Sequence, residues 1–322
     1  MSDQTPEPPV VVVALGGNAM QDPDGDDSVE SDFVRTRETA EHLVNLVTGY
    51  PCRLVITHGN GPQVGNHLLR SELGHQEGEL PLLPLEVCVA DTQGGMGYML
   101  QQCIGNAFQE AGVPGVVASV VTQVVVDERD PAFQDPSKPV GEMIPSEKVA
   151  DMKARGWALT EDAHRGGWRR VVPSPDPTEI VEAEAVRALL AEGVVVIAGG
   201  GGGIPVVHDP DGGLRGVPAV IDKDLAAALL AIDLRAEMLL ILTDVEHAMV
   251  GFDTPEQRPL GQIDVAEARR YLAAGEFGAG SMGPKVEAVC RFAEATGKVG
   301  VITSIALSDT ALEGTTGTRV VP

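Results

Sequence analysis

The stretch VVVVALGGN, residues 10–18, decides the fold. Its first six residues are apolar, which predicts a strand buried on both faces, and its two glycines predict a tight loop directly after that strand. Strands buried on both faces are typical of parallel sheets that are covered by helices on either side. The chain is therefore predicted to open an α/β fold at Val10.

Similar apolar runs recur along the chain and alternate with segments that have the hydrophobic period of a helix. The predicted strands cover residues 53–57, 116–121, 194–198, 238–242 and 299–303. The predicted helices cover residues 33–48, 180–192, 264–273 and 284–296. This alternation predicts right-handed crossovers around a mainly parallel open sheet. We interpret residues 1–322 as one domain of this class.

Residues 127–177 break the alternation. The segment is rich in Pro, Gly, Asp and Arg, and it has only a short helical pattern. Because Trp157 and Trp168 need a surface to pack against, we predict a small subdomain or lid inserted into the sheet domain, not a disordered linker. A plain surface excursion is the alternative.

Composition restricts the partners of the protein. The formal net charge of −24 repels nucleic acid and anionic membranes. No run approaches the roughly 20 apolar residues that a membrane-spanning helix needs, and the first nine residues lack the pattern of a secretion signal. The four cysteines have no metal-ligand spacing. We expect a cytoplasmic protein without a nucleic-acid partner, a membrane partner or a metal held by the chain itself.

The basic residues are unusual in kind, since the chain has 17 arginines and only six lysines. An acid-rich, lysine-poor surface fits a protein that works in concentrated salt, where a screening length of about 3 Å at 1 M removes the self-repulsion of the acids. We hypothesise a high-salt cytoplasm. The alternative is an acidic protein from a genome that favours arginine.

Glycine-rich loops follow several of the predicted strands. Gly16-Gly17-Asn18 follows the first strand, residues 58–65 follow the second, and five glycines occupy residues 199–203. Ligands of open α/β sheets bind outside the carboxyl ends of the strands, where such loops let backbone N–H groups approach an anion. The glycine run at 199–203 must allow close approach either of a ligand or of a neighbouring strand. Since no GxxxxGK[ST] and no strand-linked GxGxxG occurs, neither a P-loop enzyme nor a Rossmann dehydrogenase is favoured.

Three of the six lysines lie in segments that look like site loops, namely Lys138, Lys223 and Lys285. Phosphoryl transfer depends on positive charge placed against the transferred oxygens, and lysine supplies that charge as a point. An ordinary surface position is the alternative for any one of them. Asp224 could orient a lysine or a bound Mg²⁺, or it could be a plain acid at the start of a helix.

Several motifs, in order along nearly the whole chain, resemble one family. They are LGGNA (15–19), THGNGPQVG (57–65), LPLEVCVADTQGGMGYMLQQ (83–102), DPSKPVG (135–141), RRVVPSP (169–175), AGGGGGIPVV (198–207), AVIDKD (219–224), LTDVEHA (242–248) and GSMGPK (280–285). With these motifs the chain resembles the carbamate kinases, within the amino acid kinase family.

The resemblance implies a three-layer α/β/α sandwich with a protruding inserted subdomain. It implies reversible phosphoryl transfer between carbamoyl phosphate and ADP, giving ATP and carbamate, with Mg²⁺ and at the end of arginine catabolism. It also implies a homodimer. Gly94, Gly95, Gly97 and Gly105 weaken the helix expected at residues 85–111, so we predict that close packing at a two-fold interface compensates for them.

The resemblance further implies roles for residues of this chain. Lys223 would stabilise the transferred group, Asp224 would organise it, and Lys138 would reach it from the subdomain. Carbamate and the phosphoryl group would lie near Gly16, Gly17, Asn18, Gly59, Asn60 and Gly61. The nucleotide pocket would be lined by Thr243, Asp244, Val245, Met282 and Lys285.

Two alternative functions stay open from the sequence. Another amino acid kinase would phosphorylate a carboxylate such as acetylglutamate, or a nucleoside monophosphate, although the DPSKPVG lysine and the inserted segment favour carbamate. A nucleotide-binding regulator without catalysis would keep the fold alone. The joint presence of Lys138, Lys223, Asp224 and Lys285 disfavours that second alternative.

Overall fold

The structure, a computed structural model, describes residues 7–21, 28–78, 80–162, 166–278 and 280–322, without the side chains of Asn18 and Asp162. Its strands are β1 (Val10–Leu15), β2 (Arg53–His58), β3 (Val116–Ser119), β4 (Gln123–Val126), β5 (Lys138–Ile144), β6 (Leu159–Asp162), β7 (Gly167–Val172), β8 (Pro177–Ile180), β9 (Val194–Ile197), β10 (Ile204–His208), β11 (Leu214–Gly216), β12 (Met238–Thr243), β13 (Met249–Val250), β14 (Arg258–Pro259), β15 (Gln262–Asp264), β16 (Val299–Ser304) and β17 (Thr318–Val321). Its α-helices are α1 (Val29–Gly49), α2 (Gly61–Gln76), α3 (Leu85–Glu110), α4 (Val149–Ala154), α5 (Ala183–Ala191), α6 (Lys223–Asp233), α7 (Val265–Ala273), α8 (Met282–Thr296) and α9 (Ser308–Leu312).

The main sheet is built around β1. Within the described residues it has eight strands, in the order β15-β17-β16-β12-β1-β2-β9-β3. β1 pairs in parallel with β12 on one side and β2 on the other. Of the strand pairs described in this sheet, β16 with β17 alone is antiparallel. The predicted mainly parallel α/β sheet is confirmed.

Helices cover both faces of this sheet, because successive side chains of a strand point to opposite sides. Val12 and Ala14 of β1 belong to a core that α5, α6, α7 and α8 cover. Val11 and Val13 belong to a second core, which α1, α3 and α9 cover. The three layers implied by the family resemblance are therefore present.

Two predicted elements are wrong in their bounds. The apolar run at 116–121 is not one strand, because β3 ends at Ser119 and the chain passes into β4 of a second sheet, ordered β11-β10-β4-β8. The helix predicted at 180–192 begins only at Ala183, because residues 177–180 form β8, which pairs antiparallel with β4. The helix expected at 85–111 is confirmed as α3.

Residues 127–177 contain a small sheet of their own in the described part. β5, β7 and β6 pair antiparallel in that order, and α4 lies in the loop between β5 and β6. The Arg170 guanidinium lies 4.1 Å from the ring centre of Trp157, and the Lys153 ammonium 4.8 Å from that of Trp168. The chain leaves the sheet domain after β4 and returns at β8, its neighbour, so both ends of the segment lie at one place.

The inserted segment shares apolar core with the sheet domain. Val140 and Val172, at the base of its sheet, are buried with Val64 and Leu68 of α2. None of the helices in the described ranges is long and apolar enough to cross a membrane.

Candidate active site

Two predicted loops lie at the carboxyl edge of the main sheet, next to the end of β12. The Gly16 N–H donates to the carbonyl of Leu242 at 3.1 Å, which brings the first loop beside Thr243. The Gly59 N–H donates to the carbonyl of Leu15 at 3.3 Å, which joins the second loop to the first. The two loops therefore meet at one edge of the sheet.

Gly59 brings the second loop against Lys223. A side chain at Gly59 would begin 3.2 Å from Cδ of Lys223, so a larger residue would require the lysine chain to shift by a few tenths of an ångström. Asn60 is buried, and its amide nitrogen donates to Oγ1 of Thr92 at 2.8 Å, which ties the loop to α3. Asn60 therefore supports the loop through its side chain.

Gly17 and Gly61 differ from Gly59. No atom of the described chain, neighbours in sequence aside, lies within 4 Å of the point where a side chain of either residue would begin. Gly61 is also the first residue of α2, whose first-turn N–H groups have no partner within the helix. These two positions leave room for an anion to approach the backbone. The side chain of Asn18 lies outside the described part of the chain.

The glycine run at 199–203 is buried and enclosed by neighbouring side chains. Thr57 Oγ1 donates to the carbonyl of Gly199 at 2.9 Å, and Gln93 Nε2 donates to the carbonyl of Gly200 at 2.9 Å. Of the two explanations given for this run, close approach of neighbouring elements is the one that these contacts support.

Asp224 joins two of the predicted lysines. Its Oδ1 accepts a hydrogen bond from Nζ of Lys223 at 2.5 Å, and its Oδ2 accepts one from Nζ of Lys285 at 3.0 Å. The side chain of Asp224 is only 4% exposed, and those of both lysines are 12% exposed. The first turns of α6 and α8 thus place two ammonium groups on one buried carboxylate.

Burial and the neighbouring charges act together on these groups. Burial lowers the pKa of Lys223, and Lys285 lowers it further, while the Asp224 carboxylate raises it again in part. Burial alone would raise the pKa of Asp224, but the ammonium groups of Lys223 and Lys285 outweigh it and hold that pKa well below the ordinary value. The carboxylate is therefore ionised at neutral pH.

Lys138 reaches the same place from the inserted segment. As the first residue of β5 it forms an ion pair with Oδ2 of Asp222, the residue directly before α6. Oδ1 of Asp222 accepts the N–H of Asp224 at 2.9 Å and so caps the helix. The start of α6 therefore brings together Lys138, Lys223 and Lys285, three lysines that are far apart in sequence.

His58 is a buried neighbour of this cluster that the sequence analysis did not single out. Its Nδ1 lies 3.0 Å from the carbonyl of Gly59. Burial lowers the pKa of His58 to about 4, the hydrogen bond to Gly59 opposes this, and Lys223 adds to the lowering. The ring is neutral at pH 7, and it therefore adds no positive charge beside Lys223.

The predicted nucleotide residues fall in two places. Thr243, Asp244 and Val245 lie at the end of β12 and directly after it, with Val245 44% exposed, while Met282 begins α8. Lys285, one turn into α8, contacts Asp224 and thus belongs to the lysine cluster.

The described residues do not fit a metal ion held by the protein alone. No group of three or more His, Cys, Asp or Glu side chains in those ranges is arranged to hold one. The two carboxylates of the cluster, Asp222 and Asp224, are both engaged by lysine ammonium groups. Mg²⁺ is commonly bound through substrate phosphates with few protein ligands, so an ion bound to a nucleotide needs no such group.

Sequence reasoning missed Asp222 and Gln93. An Asp directly before a helical segment is the ordinary signal of an N-cap, so Asp222 could have been recognised as the start of α6, but its pairing with Lys138 could not. Gln93 lies within α3, and no local pattern indicates that its amide bonds to Thr122 and Gly200.

Comparison with known proteins assigns the chain to a family. The profile of the amino acid kinase family matches residues 9–304. The chain belongs to the amino acid kinase family.

Within that family the chain belongs to the carbamate kinases, which makes it a phosphotransferase. It is 47% identical over 312 residues to the carbamate kinase of Thermococcus kodakarensis, covering 97% of this chain and 98% of that one. Its fold superposes on the carbamate kinase from Giardia lamblia bound to citric acid with a TM-score of 0.91 and 41% identity, over 98% of each chain. The Giardia lamblia enzyme bound to AMP-PNP gives a TM-score of 0.88 over the same share of each chain.

Proposed function

We propose that the chain transfers a phosphoryl group reversibly between carbamoyl phosphate and ADP, giving ATP and carbamate. The observation that carries this proposal is the convergence of Lys138, Lys223 and Lys285 at the start of α6. Three ammonium groups face the two carboxylates of Asp222 and Asp224, which leaves one positive charge in excess. A local excess of positive charge is what a transferring phosphoryl group requires.

In the reaction that we propose, an oxygen of the ADP β-phosphate attacks the phosphorus of carbamoyl phosphate. The bond between phosphorus and the carbamate oxygen breaks as the new phosphorus–oxygen bond forms, and no proton needs to move. Lys223 and Lys285 stabilise the charge on the transferred group, because Asp224 holds both ammonium groups in place beforehand. The open backbone at Gly17 and Gly61 accommodates the phosphoryl oxygens.

The inserted segment acts in this proposal as a lid. Lys138 lies on β5, so the whole small sheet must be seated for its ammonium to reach the phosphoryl group. A seated lid also excludes water, which would otherwise hydrolyse a reactive acyl phosphate. We take residues 127–177 as this subdomain.

The nucleotide is the second substrate, and Mg²⁺ arrives bound to its phosphates. The proposed pocket lies at the end of β12 and the start of α8, where Thr243, Asp244, Val245 and Met282 are found. The AMP-PNP complex of the Giardia lamblia carbamate kinase supports a nucleotide site in this fold.

We further propose that the enzyme is a cytoplasmic homodimer that serves arginine breakdown in a high-salt cell. A feature of α3 supports the dimer: Gly94, Gly95 and Gly105 face open space, whereas Gly97 packs on Ser119 of the same chain. Each glycine inside a helix costs about 1 kcal/mol relative to alanine, which close packing against a second chain would offset. Light scattering in concentrated salt is the measurement, and a monomeric mass would exclude the dimer.

A coupled assay tests the activity. Purified protein in concentrated salt receives Mg²⁺, ADP and carbamoyl phosphate, and the ATP formed is measured; a parallel reaction receives ATP and acetylglutamate. We expect ATP formation in the first reaction and no acetylglutamate phosphorylation in the second. The opposite result would assign the chain to another amino acid kinase activity, and no turnover in either would favour the regulator.

A further inference from the structure

The two carboxylate oxygens of Asp222 contact two different parts of the molecule, the start of α6 and the start of β5. Oδ1 accepts the backbone N–H groups of Asp224, at 2.9 Å, and Leu225, at 3.4 Å, and so caps α6. Oδ2 pairs with the ammonium of Lys138, on the first residue of β5. The side chain of Asp222 is 12% exposed and that of Lys138 is 28% exposed, so the pair is partly shielded from water.

The charges at the start of α6 explain why a carboxylate is needed there. Lys223 and Lys285 already place two ammonium groups on Asp224, and a third ammonium would be repelled by both. Asp222 supplies the compensating negative charge for Lys138. Because an ammonium has three N–H donors and Asp222 takes one, Lys138 keeps donors for a ligand.

The inserted segment makes further contacts along its length: at its ends with β11, with α8 and with the chain just before α6, and in its middle with α2. A side chain on Gly65 of α2 would overlap the backbone of Gly141, so β5 rests directly on that helix. Arg170 of β7 donates to the carboxylate of Glu72 at 2.7 Å. These contacts seat the body of the small sheet, whereas Asp222 binds the end that carries Lys138.

We propose that Asp222 is a positioning residue for phosphoryl transfer. It docks Lys138 at the start of α6, so that the lid lysine and the group formed by Lys223, Asp224 and Lys285 are assembled before the reaction begins. This inference rests on the proposed carbamate kinase activity. Its distinctive consequence is that the effect of Asp222 on the reaction runs through Lys138.

The test is a double-mutant cycle between these two residues. Asp222→Asn removes the charge but keeps a side-chain oxygen that caps a helix as well as aspartate does, so any fall in the thermal unfolding midpoint should come from the lost pair with Lys138 and should be absent in a Lys138→Ala background. We expect kcat to fall roughly 10- to 100-fold, the scale of one charge-assisted hydrogen bond, with the KM for ADP little changed. In a Lys138→Ala background the same substitution should change kcat less than about 3-fold, since interacting residues are not additive.

Three further measurements sharpen the test. Asp222→Ser also caps α6 and should behave like Asp222→Asn, which covers the case in which one variant folds poorly. Asp264→Asn removes the same charge from the N-cap of α7, where Asp264 accepts the N–H of Glu267 at 2.7 Å, and should keep full activity. Hydrogen exchange of the backbone amides in β5 should be several-fold faster in Asp222→Asn, because the end of that strand is released.

The outcomes separate this inference from the proposed function. A wild-type protein that forms no ATP from carbamoyl phosphate would refute the proposed function, and the exchange rates would still test the docking by Asp222. If wild type is active but Asp222→Asn retains its kcat, or loses the same factor with and without Lys138, the positioning role is overturned. Unchanged exchange in β5 would overturn the docking itself.

Discussion

Replacing Lys223 with alanine tests the lysine cluster most directly. Lys223 is the first residue of α6, its ammonium is buried, and it donates to Asp224 at 2.5 Å. Alanine is the best helix former, so the substitution leaves the backbone of α6 undisturbed. The perturbation is therefore the removal of one preorganised positive charge.

The expected loss of rate is large and the expected loss of stability is modest. Removing one preorganised donor that faces developing charge costs about 2.7–4 kcal/mol, or roughly 10²- to 10³-fold in kcat. Breaking a buried ion pair costs about 3–5 kcal/mol when the remaining charge is left uncompensated. Here Asp224 keeps the ammonium of Lys285 at 3.0 Å, so the loss of stability should fall below that range.

Initial rates of ATP formation at saturating carbamoyl phosphate and ADP give kcat, and thermal unfolding gives the stability. Lys298→Ala is the matched control, because Lys298 is an exposed lysine that pairs with Glu237 at 2.7 Å, outside the cluster. We expect that control to keep the rate of the wild type. A Lys223→Ala protein with raised KM and unchanged kcat would refute transition-state stabilisation and leave Lys223 as a binding residue only.

Three other perturbations test the lid, the buried histidine and the surface charge. Glu72→Gln removes the carboxylate that Arg170 contacts and should release the lid from α2. We expect a lower kcat and a shift of tryptophan emission to longer wavelength. Unchanged emission and kcat would argue against a lid seated on α2. Burial lowers the pKa of His58 to about 4, so between pH 6.5 and 4 the unfolded chain binds a proton that the native state does not. The free energy of unfolding should therefore fall by about 2 kcal/mol between pH 7.5 and pH 5. Measured by urea denaturation, this fall should be smaller in His58→Gln, whereas the exposed control His208→Gln should show the same fall as wild type. Finally, thermal unfolding should shift to higher temperature from low salt to near-saturated salt, and equal stability at both would contradict the high-salt hypothesis.

Six of the eight strands of the main sheet could be predicted from the sequence because each is a local apolar run, whereas β15 and β17 are short, mixed segments that were not predicted. The transition between β3 and β4 could not be predicted in this way, since residues 116–126 are almost continuously apolar. The chain leaves the main sheet at Thr122, where Gln93 of α3 accepts the backbone N–H at 2.8 Å and donates to the carbonyl at 3.0 Å. A side chain 29 residues away thus bonds to both backbone groups of Thr122, between the two strands. No pattern within the run contains that information.

For the candidate site, too, the sequence predicts some features and not others. The glycine loops and the three lysines could be chosen as candidates because residue type and loop position alone suggest an anion site. The family prediction is confirmed by the comparisons. The pairings of Lys138 and Lys285 could not be predicted, because Lys138 and Asp222 are 84 residues apart and Lys285 and Asp224 are 61 residues apart. The contact of Lys223 with Asp224, its neighbour in sequence, is one of the roles that the sequence leaves open for Asp224. Sequence shows which charges the chain has, whereas the fold determines which of them lie together.

The overall charge of the protein and the charge of its site have opposite signs. With a net charge of −24 the molecule repels ADP and carbamoyl phosphate at long range, and concentrated salt removes that repulsion because the screening length falls to about 3 Å at 1 M. The buried cluster around Asp224 is screened much less, since its side chains are nearly closed to solvent. High salt would thus ease the approach of anionic substrates and leave the attraction inside the site intact. In the reaction that we propose, an acid-rich surface is therefore compatible with phosphoryl transfer because Lys223 and Lys285 are buried with a carboxylate of their own.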